Sequence, residues 1–99
     1  MMVYELKLLK RAATDIEDIC RYLSQFYPGT AGRFLDALEQ SLDGLTQNPY
    51  MYAEYEGNKA YHRAIVQDYL VFYKIFKTSK TIRIYRILHG KRNIEFFLR

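Results

Sequence analysis

The spacing of apolar residues changes once along this chain, and that change restricts the fold more than any single motif. Ala12, Ile16, Ile19, Leu23, Phe26 and Tyr27 recur at three and four, as do Ala31, Phe34, Leu35, Leu38, Leu42 and Leu45. Each set lies on one face of a helix. From Tyr61 onward the period is two and the residues are β-branched and aromatic, which predicts strands over 61–66, 69–76 (YLVFYKIF) and 81–89 (TIRIYRILH). A first strand is expected over Val3–Leu9.

Punctuation supports this division. Thr14-x-x-Glu17 has capping-box spacing and suggests that the first helix starts at Thr14. Pro28-Gly29 ends it, and Thr30 can cap the second, which Asn48-Pro49 stops. A break this short predicts an antiparallel αα-hairpin. Residues 48–60 read as a loop, Gln67-Asp68 and Lys77–Lys80 as turns. Gly90 is expected to relax the end of the last strand through a positive φ. Asn93 can cap a short closing helix or lead a last strand.

The order β-α-α-β-β-β is an α+β class. A helical hairpin packs on one face of a mostly antiparallel four-stranded sheet, in one domain spanning residues 1–99. The other sheet face is then left for function. The one cysteine, Cys20, allows no internal disulfide and sits in an apolar helical run, which fits a reducing, cytoplasmic setting. No membrane span or signal peptide is expected.

Charge is uneven. The net charge is +4. From residue 59 on, the bases are Lys59, Arg63, Lys74, Lys77, Lys80, Arg83, Arg86, Lys91, Arg92 and Arg99, against only Asp68 and Glu95. Asp15, Glu17 and Asp18 read as a solvated helix face. A basic sheet region beside a more acidic hairpin suits a phosphate-bearing or acidic partner, or is an ordinary solvated surface. Strand alternation places Arg83, Tyr85, Ile87 and His89 on an outward face and Ile82, Ile84, Arg86 and Leu88 toward the helices. Cations beside aromatics at that spacing can hold a phosphate and stack on a base. Tyr50, Tyr52, Tyr55 and Tyr61 either pack the loop on the sheet or meet a partner.

No phosphate-binding glycine loop, nucleophile triad or metal-ligand spacing is present, so no metal or cofactor is expected. The β-α-α-β-β-β order, His62-Arg63-Ala64-Ile65-Val66 through Tyr69-Leu70-Val71-Phe72-Tyr73-Lys74, and Arg86-Ile87-Leu88-His89-Gly90-Lys91-Arg92-Asn93 together resemble the RelE/ParE superfamily. These are the toxins of bacterial type II toxin–antitoxin modules, known for growth inhibition and plasmid stabilisation. The resemblance implies a cognate antitoxin partner and one of two targets. ParE-like members inhibit DNA gyrase. RelE-like members cleave mRNA on the ribosome without a metal.

The RelE-like pattern has two lysines flanking one residue, where this chain has Ala60 and His62. It has an arginine before the L-V-Y run, where this chain has Tyr69. Its arginine after the glycine turn is matched by Arg92. Its C-terminal tyrosine is replaced within Phe96-Phe97-Leu98. If the chain is a nuclease, His62, Arg63, Tyr85, His89 and Arg92 are its candidate catalytic set, because histidine can act as acid or base near neutrality. Arg83, Arg86, Lys91, Lys74 and Tyr69 are the candidate target- or RNA-binding residues. The Leu-His-Gly-x-Arg ending favours the ParE-like reading. A degenerate, non-toxic antitoxin-binding module is the third alternative.

Overall fold

A computed structural model describes residues 3–98, so Arg99 lies outside the described residues. The elements are β1 (Glu5–Leu8), α1 (Lys10–Leu23), α2 (Thr30–Gln47), β2 (His62–Val66), β3 (Tyr69–Phe76), β4 (Thr81–His89) and α3 (Ile94–Phe97). The sheet runs β1-β4-β3-β2. The pairs β2–β3 and β3–β4 are antiparallel, and β1 lies parallel to β4. The expected fold class holds.

Several boundaries differ from expectation. The helix α1 starts at Lys10 rather than Thr14, with Leu9 at its N-cap and no side-chain cap. Leu9 serves both elements: its N–H bonds Ile84 O at 3.0 Å, and its carbonyl accepts from Ala13 N at 3.0 Å. The sheet ladder thus supplies what a capping box would have supplied. The helix also ends earlier. Phe26 and Tyr27 fall in the connection and are exposed rather than on the core stripe. Gly29, at φ 84°, is the N-cap of α2. Thr30 follows it, and its hydroxyl donates to Tyr27 O at 2.7 Å instead of capping. Among the described residues Gly29 is the glycine with positive φ, so Gly90 needs no such freedom. The Gly90 N–H donates to Asp68 O at 3.0 Å and closes the β3–β4 end.

The main core lies between hairpin and sheet. Phe34, Leu38 and Leu45 from α2 and Ala12 and Ile19 from α1 meet Val71, Tyr73, Ile82, Ile84 and Ile87. The Tyr73 hydroxyl donates to Pro49 O at 2.9 Å, so the long loop is pinned to the centre of the sheet. Burial pushes the Tyr73 phenol well above its ordinary pKa.

The opposite sheet face is not free. A second, smaller core of Phe72, Leu88, Ile94 and Leu98 covers one end, with Tyr55, Tyr61, Leu70 and Phe97 packed around it. Asn93 caps the closing helix, its Oδ1 accepting from Phe96 N at 3.4 Å.

The strict alternation expected of β4 fails at Tyr85. Phe72 pairs with Arg86 but Tyr73 pairs with Ile84, so Tyr85 is the extra residue of a β-bulge. Beyond it every side chain changes face. Ile87 joins the helix-side core, and Leu88 joins the core on the other side.

Candidate functional site

The bulge creates the site. The strand β1 ends opposite Ile84, which leaves the β4 edge beyond it without a strand neighbour. Helix α1 fills the position with a carboxylate. Asp15 accepts from Arg86 Nε at 2.8 Å and Arg86 Nη2 at 2.9 Å, and also from the Ile87 backbone N–H at 2.9 Å. The two side chains are only 12% and 11% exposed. Asp15 is therefore no solvated helix residue, and Arg86 is a paired structural cation rather than a free target-binding one. The hydrogen bonds that Arg86 donates to Asp15 hold it above its ordinary pKa, against the opposing effect of burial.

Arg86 also supports the closing helix. Its Nη1 donates to Phe97 O at 3.4 Å, and its guanidinium lies 5.2 Å from the Phe97 ring centre. Arg92 sits over the same ring at 4.2 Å. Phe97 thus lies in the segment where the RelE-like pattern has a tyrosine, and it positions a cation instead of moving a proton.

Beside this pair is a groove of about 480 Å³ lined by Tyr22, Tyr69, Arg86, His89, Lys91 and Arg92, with Asp15, Asp18, Ile19 and Ile87. Tyr69 pairs across the strands with His89, their rings edge to face at 5.4 Å. His89 Nδ1 accepts from Lys91 N at 3.1 Å, which places the neutral ring's proton on Nε2. Asp18 is engaged by Arg21 at 2.9 Å. Lys91 and Arg92 have no carboxylate partner among the described residues. The rim of the groove is therefore positive. Burial, with smaller contributions from Tyr22 and Asp68, raises the Tyr69 phenol, which keeps it a neutral hydrogen-bonding group.

The other candidate residues lie elsewhere. His62 pairs with Tyr73 and stacks on it at 5.4 Å, and its Nδ1 is 2.8 Å from Tyr52 O. It lies toward the far end of the hairpin from His89. Arg63 pairs with Phe72 on the opposite face and lies 5.8 Å from the Tyr55 ring. Tyr85 and Lys74 are on that face too: Lys74 Nζ is 4.7 Å from the Tyr61 ring and 4.8 Å from the Tyr85 ring. Arg83 covers Phe76 at 4.3 Å. Of the ten candidates, the groove gathers Tyr69, Arg86, His89, Lys91 and Arg92. Alternation had put His89 with Arg83 and Tyr85, and the bulge separates them.

The sequence reading missed Asp15 and Tyr22. A signal for both was present: Ala12, Asp15, Ile19 and Tyr22 step by three, four and three, so they share a stripe whose Ala12 and Ile19 are buried. An acid on a buried stripe requires a partner.

Among the described residues no helix is long and apolar enough to cross a membrane, and no cluster of three metal-ligating side chains occurs. No curated protein matches this chain in sequence. Solved structures share the fold. The chromosomal ParDE system of P. aeruginosa matches with TM-score 0.72 and 19% identity over 90% of this chain and 98% of that one. The RelBE2 toxin–antitoxin complex from Mycobacterium tuberculosis matches with TM-score 0.64 and 21% identity over 93% and 97%. The intact E. coli RelBE complex matches with TM-score 0.59 and 13% identity over 90% and 99%. The model of the ParE toxin of type II toxin–antitoxin systems, parDE, matches residues 6–94. With that match over nearly its whole length, the chain belongs to the ParE toxin family of type II toxin–antitoxin systems.

Proposed function

We propose that this toxin acts by binding, disabling DNA gyrase without cutting RNA, and is neutralised in the bacterial cytoplasm by a cognate antitoxin. The supporting observation is the dispersal of the residues a nuclease would need. His62 lies toward one end of the sheet on the helix side, Arg63 and Tyr85 are on the opposite face, and His89 and Arg92 are at the groove. General acid–base catalysis needs its groups within hydrogen-bond reach of one scissile bond. A binding surface has no such requirement. The groove, with its unpaired Lys91 and Arg92 and the exposed Tyr22, is the surface proposed to meet the target.

Purified toxin is expected to abolish DNA supercoiling by purified gyrase. It is expected to leave ribosome-bound message uncut in primer extension. Cuts in the message with gyrase unaffected would reverse the assignment. That second reading draws on the convergence of His89, Lys91, Arg92 and Tyr69 on one groove. Expression without antitoxin that leaves growth normal would point instead to a non-toxic antitoxin-binding module. The double change His89→Ala, Arg92→Ala is expected to reduce growth inhibition at least tenfold with an unchanged circular-dichroism melt. An unfolded variant would make both residues structural.

A further inference from the structure

The open end of the sheet's outer face carries a row of cations that the proposed mechanism does not use. Lys7, Arg83 and Lys74 are direct cross-strand partners on β1, β4 and β3. Adjacent strands are about 4.8 Å apart, so the row spans about 10 Å. None of the three has an ion pair among the described residues. Two are held by rings: Lys74 between Tyr61 and Tyr85, and Arg83 over Phe76. A ring face lowers the cost of ordering a cation without neutralising it. Glu5 pairs with Thr81 two positions from Lys7, and Glu54 lines the hollow beside Lys74, but neither bonds to the row.

We infer that this row binds the phosphate backbone of duplex DNA, independently of base sequence. Three uncompensated charges face outward, and duplex DNA presents about one negative charge per 1.7 Å of axis. Lys74 and Arg83 already lie over the rings beneath, which leaves less ring surface for the base stacking that single strands use. A protein partner would need an apolar anchor. Of the exposed large apolar side chains, Tyr50 borders the hollow beside Lys74 as a single ring next to Glu54, while Phe26, Tyr27, Met51 and Ile65 lie on other elements. The inference holds whether the toxin's target is gyrase or the ribosome.

Fluorescence anisotropy of the full chain with a labelled random-sequence DNA duplex, across a salt series, tests it. The triple variant Lys7→Gln, Arg83→Gln, Lys74→Gln is expected to flatten the plot of log affinity against log salt by about 2.7, or about 0.9 for each phosphate no longer neutralised. A control that removes as many charges from the helices, Lys10→Gln, Arg11→Gln, Arg33→Gln, is expected to keep the wild-type slope. Circular dichroism checks that both variants fold. Equal flattening in the two variants would show diffuse net-charge attraction and overturn the inference. It is also overturned if the wild-type chain fails to bind the duplex at low salt, or if it binds polyglutamate more tightly than the duplex.

Discussion

Arg83 and Arg86 stand three residues apart on β4 and occupy opposite electrostatic settings. Arg86 is nearly enclosed, gripped by both oxygens of Asp15 and backed by Phe97. Arg83 has no carboxylate partner among the described residues and rests on a phenylalanine ring. The first is committed to the fold, because a buried guanidinium without its partner is costly. The second keeps its charge available to the outside. Tyr85, the bulged residue between them, marks the boundary. Basic composition alone does not identify an interface; the partner of each cation does.

This contrast can be broken most sharply at Asp15. Asp15→Ala strands a buried cation and the Ile87 N–H together, and is expected to cost about 3–5 kcal/mol in urea unfolding. A loss below about 1 kcal/mol would place Arg86 with the surface cations. Arg86→Lys keeps the charge but loses the two-pronged geometry, and should cost about 1–2 kcal/mol by the same measurement. Tyr73→Phe leaves Pro49 O without its donor, for about 1 kcal/mol at neutral pH.

Tyr73 also gives a pH signature. Its folded pKa is raised by burial, so the stability held by the neutral phenol is complete below the unfolded value of about 10 and is lost as pH rises past it. Urea midpoints should therefore fall as pH rises from about 10 toward the raised folded value, and fall less in Tyr73→Phe. The smallest effect is expected where the charges are free. Arg83→Gln and Lys74→Gln should each stay within about 0.5 kcal/mol of wild type, as surface substitutions do.

The strands β3 and β4 were legible to the residue because runs such as YLVFYKIF and TIRIYRILH combine β-formers with polar turns on both sides. Which way their side chains point was not. No glycine or proline marks Tyr85 as a bulge, and one extra residue reverses everything after it. The start of α1 was misplaced because its first N–H groups follow directly from a strand residue, Leu9, that is fixed by Ile84 O. Thr14 offered a local signal that the tertiary structure overrode. Asp15 was hidden for a related reason: its partners, Arg86 and Ile87, are distant in sequence, and helical spacing cannot name them.

The parallel pairing of β1 with β4 also governs when the molecule exists as a folded unit. Glu5 finds Thr81, and Leu9 finds Ile84, so the first strand has no neighbour until residues 81–84 have been made. The helical hairpin emerges from the ribosome early but has no sheet to cover. Such long-range closure slows folding, because chain entropy is spent before the contacts repay it. The groove needs Asp15 from the first helix and Arg86 from the last strand, so a nascent chain cannot possess it. Synthesis itself thereby imposes a delay before the toxin's working surface is assembled.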